Sequence, residues 1–203
     1  MKNKKIIIVL VLVVLIFLIL FLLFRNSMSK NLKIGNNSTS QEIVNSILNI
    51  NSYETKIEVE VKSNKNSNKY IIKQKYKGIE ENSQEIIEPN NISGVKIVKE
   101  GKNLRLENSN LNLTSIFEDY QYISDNSLDL CSFIEDYKNN EKAQWKEKDN
   151  NIIMETSKTE NKSDKHKILY IDNKSGKPLK MEIKDNNKNI AVYILYKEVI
   201  VNS

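Results

Sequence analysis

From Ile6 to Phe24 the chain runs nineteen residues without one polar or small side chain. As an α-helix this run rises about 28 Å, enough to cross a hydrocarbon core roughly 30 Å thick. A cleaved secretory signal has a shorter apolar region, about 7 to 15 residues, followed by a small-x-small site. Ser27-Met28-Ser29 is a weak candidate for that site. The run therefore reads as an uncleaved single-pass anchor whose span ends are Ile6 and Phe24. That reading divides the chain into a cytoplasmic flank (1–5), the anchor (6–24), a tether (25–38) and a domain (39–203). Lys2, Lys4 and Lys5 on one side balance Arg25, Lys30 and Lys33 on the other. The short N-terminal flank with its terminal amine hard against the helix then favours an N-in orientation and an extracytoplasmic domain. Direct lipidation needs a Cys just after the apolar run, and the chain's one Cys, Cys131, lies far downstream.

The net charge of +5 belongs to the anchor and not to the domain. Four of the 31 basic side chains, Lys2, Lys4, Lys5 and Arg25, flank the apolar run, leaving 27 against 26 acidic ones. A near-neutral domain has none of the cationic excess that releases counterions from a nucleic acid, so DNA and RNA are not expected partners. One Cys and one His, His166, supply neither an internal disulfide nor a His-based metal cluster. The five Gly form no phosphate-binding loop. No cofactor and no metal are expected.

Thr39 with Glu42 three residues on has the spacing of a capping box, and Ile43, Val44, Ile47 and Leu48 share one face of the helix that follows. Tyr53, Thr55, Ile57, Val59 and Val61 then alternate with Glu54, Lys56, Glu58, Glu60 and Lys62, the period of a half-buried strand. Further strands are expected at 69–76, 83–88, 95–100 and 103–108, forming an antiparallel meander. Between Leu111 and Asn140 the spacing turns helical, with Leu130, Ile134 and Tyr137 on one stripe and Leu128 and Cys131 beside it. Strand signals resume at 144–147, 152–156, 165–171, 179–184 and 189–201, separated by turn-rich segments such as Asp185-Asn186-Asn187-Lys188. The pattern predicts an α+β domain, a curved antiparallel sheet with helices covering its concave face, which amounts to a half-barrel.

Several segments carry a family resemblance. Ile47-Leu48-Asn49-Ile50-Asn51-Ser52-Tyr53 resembles the helix-to-first-strand junction of the LolA/LolB-like superfamily of lipoprotein carriers, and Tyr170 to Lys180 resembles its late hairpin. Gln84 to Val95 and Leu104 to Leu113 resemble the GerS-like clostridial spore germination proteins within that superfamily. The resemblance implies a non-enzymatic protein on the outer side of a membrane in sporulating cells, facing the forespore intermembrane space. It implies a partner as well, a sporulation N-acetylmuramoyl-L-alanine amidase that modifies spore-cortex peptidoglycan. The alternative it leaves open is a carrier or sensor that holds the acyl chain of a lipid or lipoprotein in the concave sheet. GerS-like proteins carry a lipidated Cys where this chain has an apolar run, and both devices tether to the same face.

Catalytic readings are weaker. Cys131 and His166 are nucleophile and base only if folding brings them together, and neither stands in a family signature. The acid pairs Glu80-Glu81, Glu118-Asp119 and Glu135-Asp136 are adjacent in sequence, which points their side chains apart on a helix or strand. Tyr120, Tyr122, Phe133, Tyr137 and Trp145 would line an acyl chamber in a carrier; in a small domain they are core. No catalytic residue is assigned, and the partner-binding residues are left unknown.

Overall fold

The computed structural model describes residues 38–63, 66–78, 81–118, 128–160 and 163–202. The anchor expected at Ile6–Phe24 and nearly all of the expected tether fall outside them. Among the described residues no helix is long and apolar enough to cross a membrane.

The domain opens with α1 (Ser40–Leu48). Its capping box is formed: Thr39 Oγ1 accepts from the Glu42 amide at 3.3 Å, and the Glu42 carboxylate accepts from the Thr39 amide at 2.8 Å. Then follow β1 (Ser52–Lys62), β2 (Ser67–Lys77), β3 (Glu81–Glu88), β4 (Val95–Glu100), β5 (Asn103–Asn108) and β6 (Leu113–Phe117). After α2 (Leu130–Lys138) come β7 (Gln144–Lys148), β8 (Asn151–Glu160), β9 (Ser163–Asp172), β10 (Pro178–Lys184) and β11 (Ile190–Asn202).

All eleven strands form one open antiparallel sheet in the order β6-β5-β4-β3-β2-β1-β11-β10-β9-β8-β7. Every neighbouring pair is sequential except β1 and β11, which join two meanders down the middle. The strands on either side of α2 in sequence are thus the two edges of the sheet. The chain that carries α2 has to cross from one edge to the other, which makes the helix a strap over one face.

Alternation along β1 decides which face. Tyr53, Thr55, Ile57 and Val59 are buried, while Glu54, Lys56, Glu58 and Glu60 take the opposite side. Register extends the buried side across the sheet: Val59 stands opposite Ile194, Ile194 opposite Met181, Met181 opposite Leu169, Leu169 opposite Met154 and Met154 opposite Trp145. Ile43, Val44 and Ile47 of α1 and Leu130, Phe133 and Ile134 of α2 close over this surface in one core. Each such apolar side chain contributes about 1.5–3 kcal/mol on burial.

One expectation is corrected. Among the described residues of the helical insertion expected over Leu111–Asn140, the helix is Leu130–Lys138, and Leu113–Phe117 is β6, paired with β5 from Asn108↔Leu113 to Leu104↔Phe117. Leu113, Ile116 and Phe117 have helical spacing, but the turn at Asn108–Asn112 folds the chain back onto β5. That turn is held by the Leu111 amide donating to Asn108 Oδ1 at 3.2 Å, with Asn112 at φ 50°. A β-branched Thr114 and Ile116 suit the strand that results.

Candidate functional site

The strap and its two attachments are the most specific construction in the molecule. At its start, Asp129 is 2% exposed and does not cap its own helix. Its carboxylate accepts instead from Asn82 Nδ2 at 2.7 Å and from Gln84 Nε2, both on β3. Gln74 Nε2 on β2 donates to the Leu128 carbonyl at 3.2 Å, and Tyr53 Oη on β1 accepts from the Leu130 amide at 3.2 Å. A tyrosine from the sheet thus satisfies an amide that a helix start leaves orphaned. Burial pushes the Asp129 carboxyl above the usual range, and the Asn82 and Gln84 bonds act against it. Burial likewise raises the Tyr53 and Tyr196 phenols. Tyr196 Oη and Gln74 Oε1 are buried with no hydrogen-bond partner among the described residues.

At the other end Lys167, 1% exposed on β9, donates to Ser132 Oγ at 2.9 Å and to Asp136 Oδ2 at 2.5 Å. Lys158 stands 3.7 Å from the other Asp136 oxygen. Thr156 Oγ1 donates to the Asp136 carbonyl at 3.1 Å, and Asn140 Nδ2 donates to the Ser157 carbonyl at 2.9 Å. A buried ion pair adds little net stability over an apolar replacement, but leaving one member unpaired is costly. Only a helix set where Asp136 meets Lys167 avoids that cost.

Between the attachments lie packed aromatic side chains. Phe133 is fully buried, with its ring centroid 5.9 Å from that of Tyr137, and Tyr53 stacks on Tyr76 at 5.4 Å. Trp145 packs against the core from edge strand β7. Phe133, Tyr137 and Trp145 are therefore core or core margin, while Tyr120 and Tyr122 lie outside the described residues. On the helix-free face two recesses of about 370 and 420 Å³ open. The first mixes Glu58, Glu60 and Lys69 with Tyr193 and Leu195, and the second Glu54, Lys56, Lys73 and Glu198 with Ile200. Beside them the Lys180 ammonium sits 4.0 Å from the Tyr170 ring centroid and 2.7 Å from Glu182.

The fold does not assemble a Cys–His dyad. Cys131 is on α2, over the covered face; in β9 Lys167 points to that face, so the adjacent His166 points to the other, where Glu155 lies 3.9 Å away. Burial, with the charges of Asp129 and Glu135 adding to it, pushes the Cys131 thiol up to about 12, so it carries no thiolate at neutral pH. In the pair Glu135-Asp136, Glu135 is exposed and Asp136 is held by Lys167. Glu80 and Asp119 lie outside the described residues. Among the described residues no group of three or more His, Cys, Asp or Glu side chains is placed to hold a metal.

The attachment residues Tyr53, Gln74, Asn82, Gln84, Asp129, Asp136 and Lys167 were not among the candidates drawn from sequence. Two of them leave a trace there. Lys167 occupies the inward phase of Lys165-Lys167-Leu169-Ile171, and Gln74 that of Ile72-Gln74-Tyr76.

The family described as "Sporulation protein YdcC-like" matches residues 3–203, and the chain belongs to it. No curated protein matches the chain in sequence. Among solved structures, it is similar to a chain in the structure of the CwlD amidase from Clostridioides difficile in complex with the GerS lipoprotein. That similarity is 24% identity over 81% of this chain and 96% of that chain, with a TM-score of 0.48. It is also similar to an uncharacterized conserved protein from Thermus thermophilus, with 10% identity over 80% of this chain and 86% of that chain and a TM-score of 0.49. A LolA superfamily protein from Nitrosomonas europaea is similar at 13% identity, over 82% of this chain and 94% of that chain, with a TM-score of 0.42.

Proposed function

We propose that this chain is a membrane-tethered, non-enzymatic module of sporulating cells that binds and regulates a cell-wall N-acetylmuramoyl-L-alanine amidase needed for spore-cortex modification. The observation that carries the reading is the match to the YdcC-like sporulation family over residues 3–203. The resemblance of Gln84 to Val95 and Leu104 to Leu113 to GerS-like proteins supplies the amidase as the partner. The site geometry supports binding over catalysis: Cys131 and His166 face opposite sides of the sheet, and Asp136 is bound to Lys167.

The anchor at Ile6–Phe24 holds the domain outside the cytoplasm in this reading. Reporters fused after Lys33 test it; activity of a cytoplasm-only reporter, or a mature N-terminus at Lys30, contradicts it. The partner is tested by mixing the purified chain with a sporulation amidase and measuring both complex formation and amidase activity. A changed activity is expected, with weak salt dependence, because a near-neutral domain gives little charge steering. Small molecules extracted from the same preparation belong in the test. A stoichiometric lipid in their mass spectrum, without amidase binding, would instead make the protein an acyl-chain carrier.

A further inference from the structure

Where the two meanders join, the covered face of the sheet carries three polar side chains inside the apolar core. Thr55, Gln74 and Tyr196 are 3%, 1% and 6% exposed. Thr55 on β1 stands opposite Gln74 on β2, and Ile57, the next inward residue of β1, stands opposite Tyr196 on β11. Gln74 is thus the direct cross-strand neighbour of Thr55, and Tyr196 is diagonal to it on the other side. Directly opposed Cβ atoms lie about 4.5–5.5 Å apart and diagonal ones about 7–8 Å, within reach of long side chains. The hydrogen bonds of the three do not close among themselves. Gln74 commits its amide nitrogen to the Leu128 carbonyl at 3.2 Å, which fixes the amide's orientation, since the reverse would set two oxygens against each other. Gln74 Oε1 and Tyr196 Oη are then buried without a partner among the described residues. Thr55 Oγ1 has only a long 3.4 Å bond to the carbonyl of Lys56. Burial, with the charge of Asp129 adding to it, raises the Tyr196 phenol, so at neutral pH it keeps its proton and can donate.

We propose that this cluster is a binding site for one water molecule built into the core, which accepts from Tyr196 Oη and donates to Gln74 Oε1 and Thr55 Oγ1. A buried donor and a buried acceptor that do not reach each other are satisfied by a water, which needs two to four polar partners; the cluster offers three. The ligand is neutral. The carboxylate of Asp129 is already taken by Asn82 and Gln84, so no free negative charge faces a cation, and the Gln74 oxygen repels an anion. Gln74 carries the consequence to the strap. Its oxygen holds the water and its nitrogen holds the Leu128 carbonyl, so the water ties β1, β2 and β11 to the start of α2. The strap's first attachment then depends on a tyrosine of the last strand that makes no direct hydrogen bond to it.

Crystallography of the full chain reads the site directly. Density for one water within about 2.6–3.2 Å of both Tyr196 Oη and Gln74 Oε1 is expected. Melting of the detergent-solubilised full chain reads it by sign. Removing a buried hydroxyl that has no partner is neutral or stabilising, whereas removing the donor to a bound water leaves the remaining partners unsatisfied. Tyr196→Phe is therefore expected to lower the Tm by about 3 °C or more, with an unchanged far-UV circular dichroism spectrum. Thr55→Val, which keeps the shape of the side chain, is expected to lower it too. The double variant should lose less than the two single losses added together, because both act on one water. A direct hydrogen bond between Tyr196 and Gln74, a site without water density, a Tyr196→Phe variant that melts at or above the wild-type Tm, or strictly additive losses overturns the proposal.

Discussion

Replacing Lys167 by Met removes the ammonium that neutralises Asp136 while keeping most of the side-chain length. The Asp136 side chain, 8% exposed, is left with Lys158 at 3.7 Å as its nearest cation. Removing one member of a buried pair costs about 3–5 kcal/mol. Lys158 stays close enough to offset part of this, so Lys167→Met is expected near the lower figure, about 3 kcal/mol. Lys167→Met combined with Asp136→Leu removes both charges and leaves no uncompensated carboxylate, and it should return to within about 1 kcal/mol of the wild type. Equilibrium urea denaturation followed by far-UV circular dichroism and by the fluorescence of Trp145, the one tryptophan, reads both variants. A loss below about 1 kcal/mol in the single variant would show that the pair does not position α2. A double variant as unstable as the single would show that the cost lies in lost packing and not in an orphaned charge.

Asp129→Asn tests the other attachment through pH. A carboxyl raised by burial stabilises the folded state fully below its unfolded value, near 4, and that contribution is lost as pH rises through the folded value. The variant lacks the titration, so its stability relative to wild type should increase between pH 4 and pH 7 in melting experiments; a constant difference would contradict the assignment. Gly94 sits at φ +82°, where an added Cβ would lie 2.8 Å from both Asn110 Nδ2 and Ser109 Oγ. Gly94→Ala should cost about 1–3 kcal/mol and lower the Tm by several degrees, and an unchanged Tm would refute the tight fit of the two turns. Cys131→Ala and His166→Ala, made separately, should leave function nearly intact in a sporulation and germination assay, apart from a small packing loss at Cys131. Loss of orders of magnitude from either, with normal folding and abundance, would reject the non-enzymatic reading.

Local chemistry made much of this fold legible in the sequence. The Thr39–Glu42 box needs only its own residues, and the alternation from Tyr53 to Lys62 records one wet and one dry face. Turn-rich segments such as Asp185–Lys188 separate the strands of the second meander. What stayed hidden depends on distant pairing. β6 imitates a helix because Leu113, Ile116 and Phe117 are three and four apart, and only its register with β5 resolves it. The junction of β1 with β11 closes contacts between residues as far apart as Ser52 and Asn202, for which a single sequence holds no signal. Lys167 and Asp136 are 31 positions apart, and each reads alone as an ordinary surface charge. Inward phase marks Lys167 as exceptional only once the strand's buried side is known.

Amidase binding is the central claim, and capture from sporulating cells tests it most directly. The tagged full chain, solubilised from membranes at the time of cortex formation, is recovered and the co-purifying proteins are identified by mass spectrometry. An N-acetylmuramoyl-L-alanine amidase is expected in near-stoichiometric yield, retained when the wash salt is raised. Recovery of the folded chain without any such amidase, from cells shown to contain one, would contradict the account.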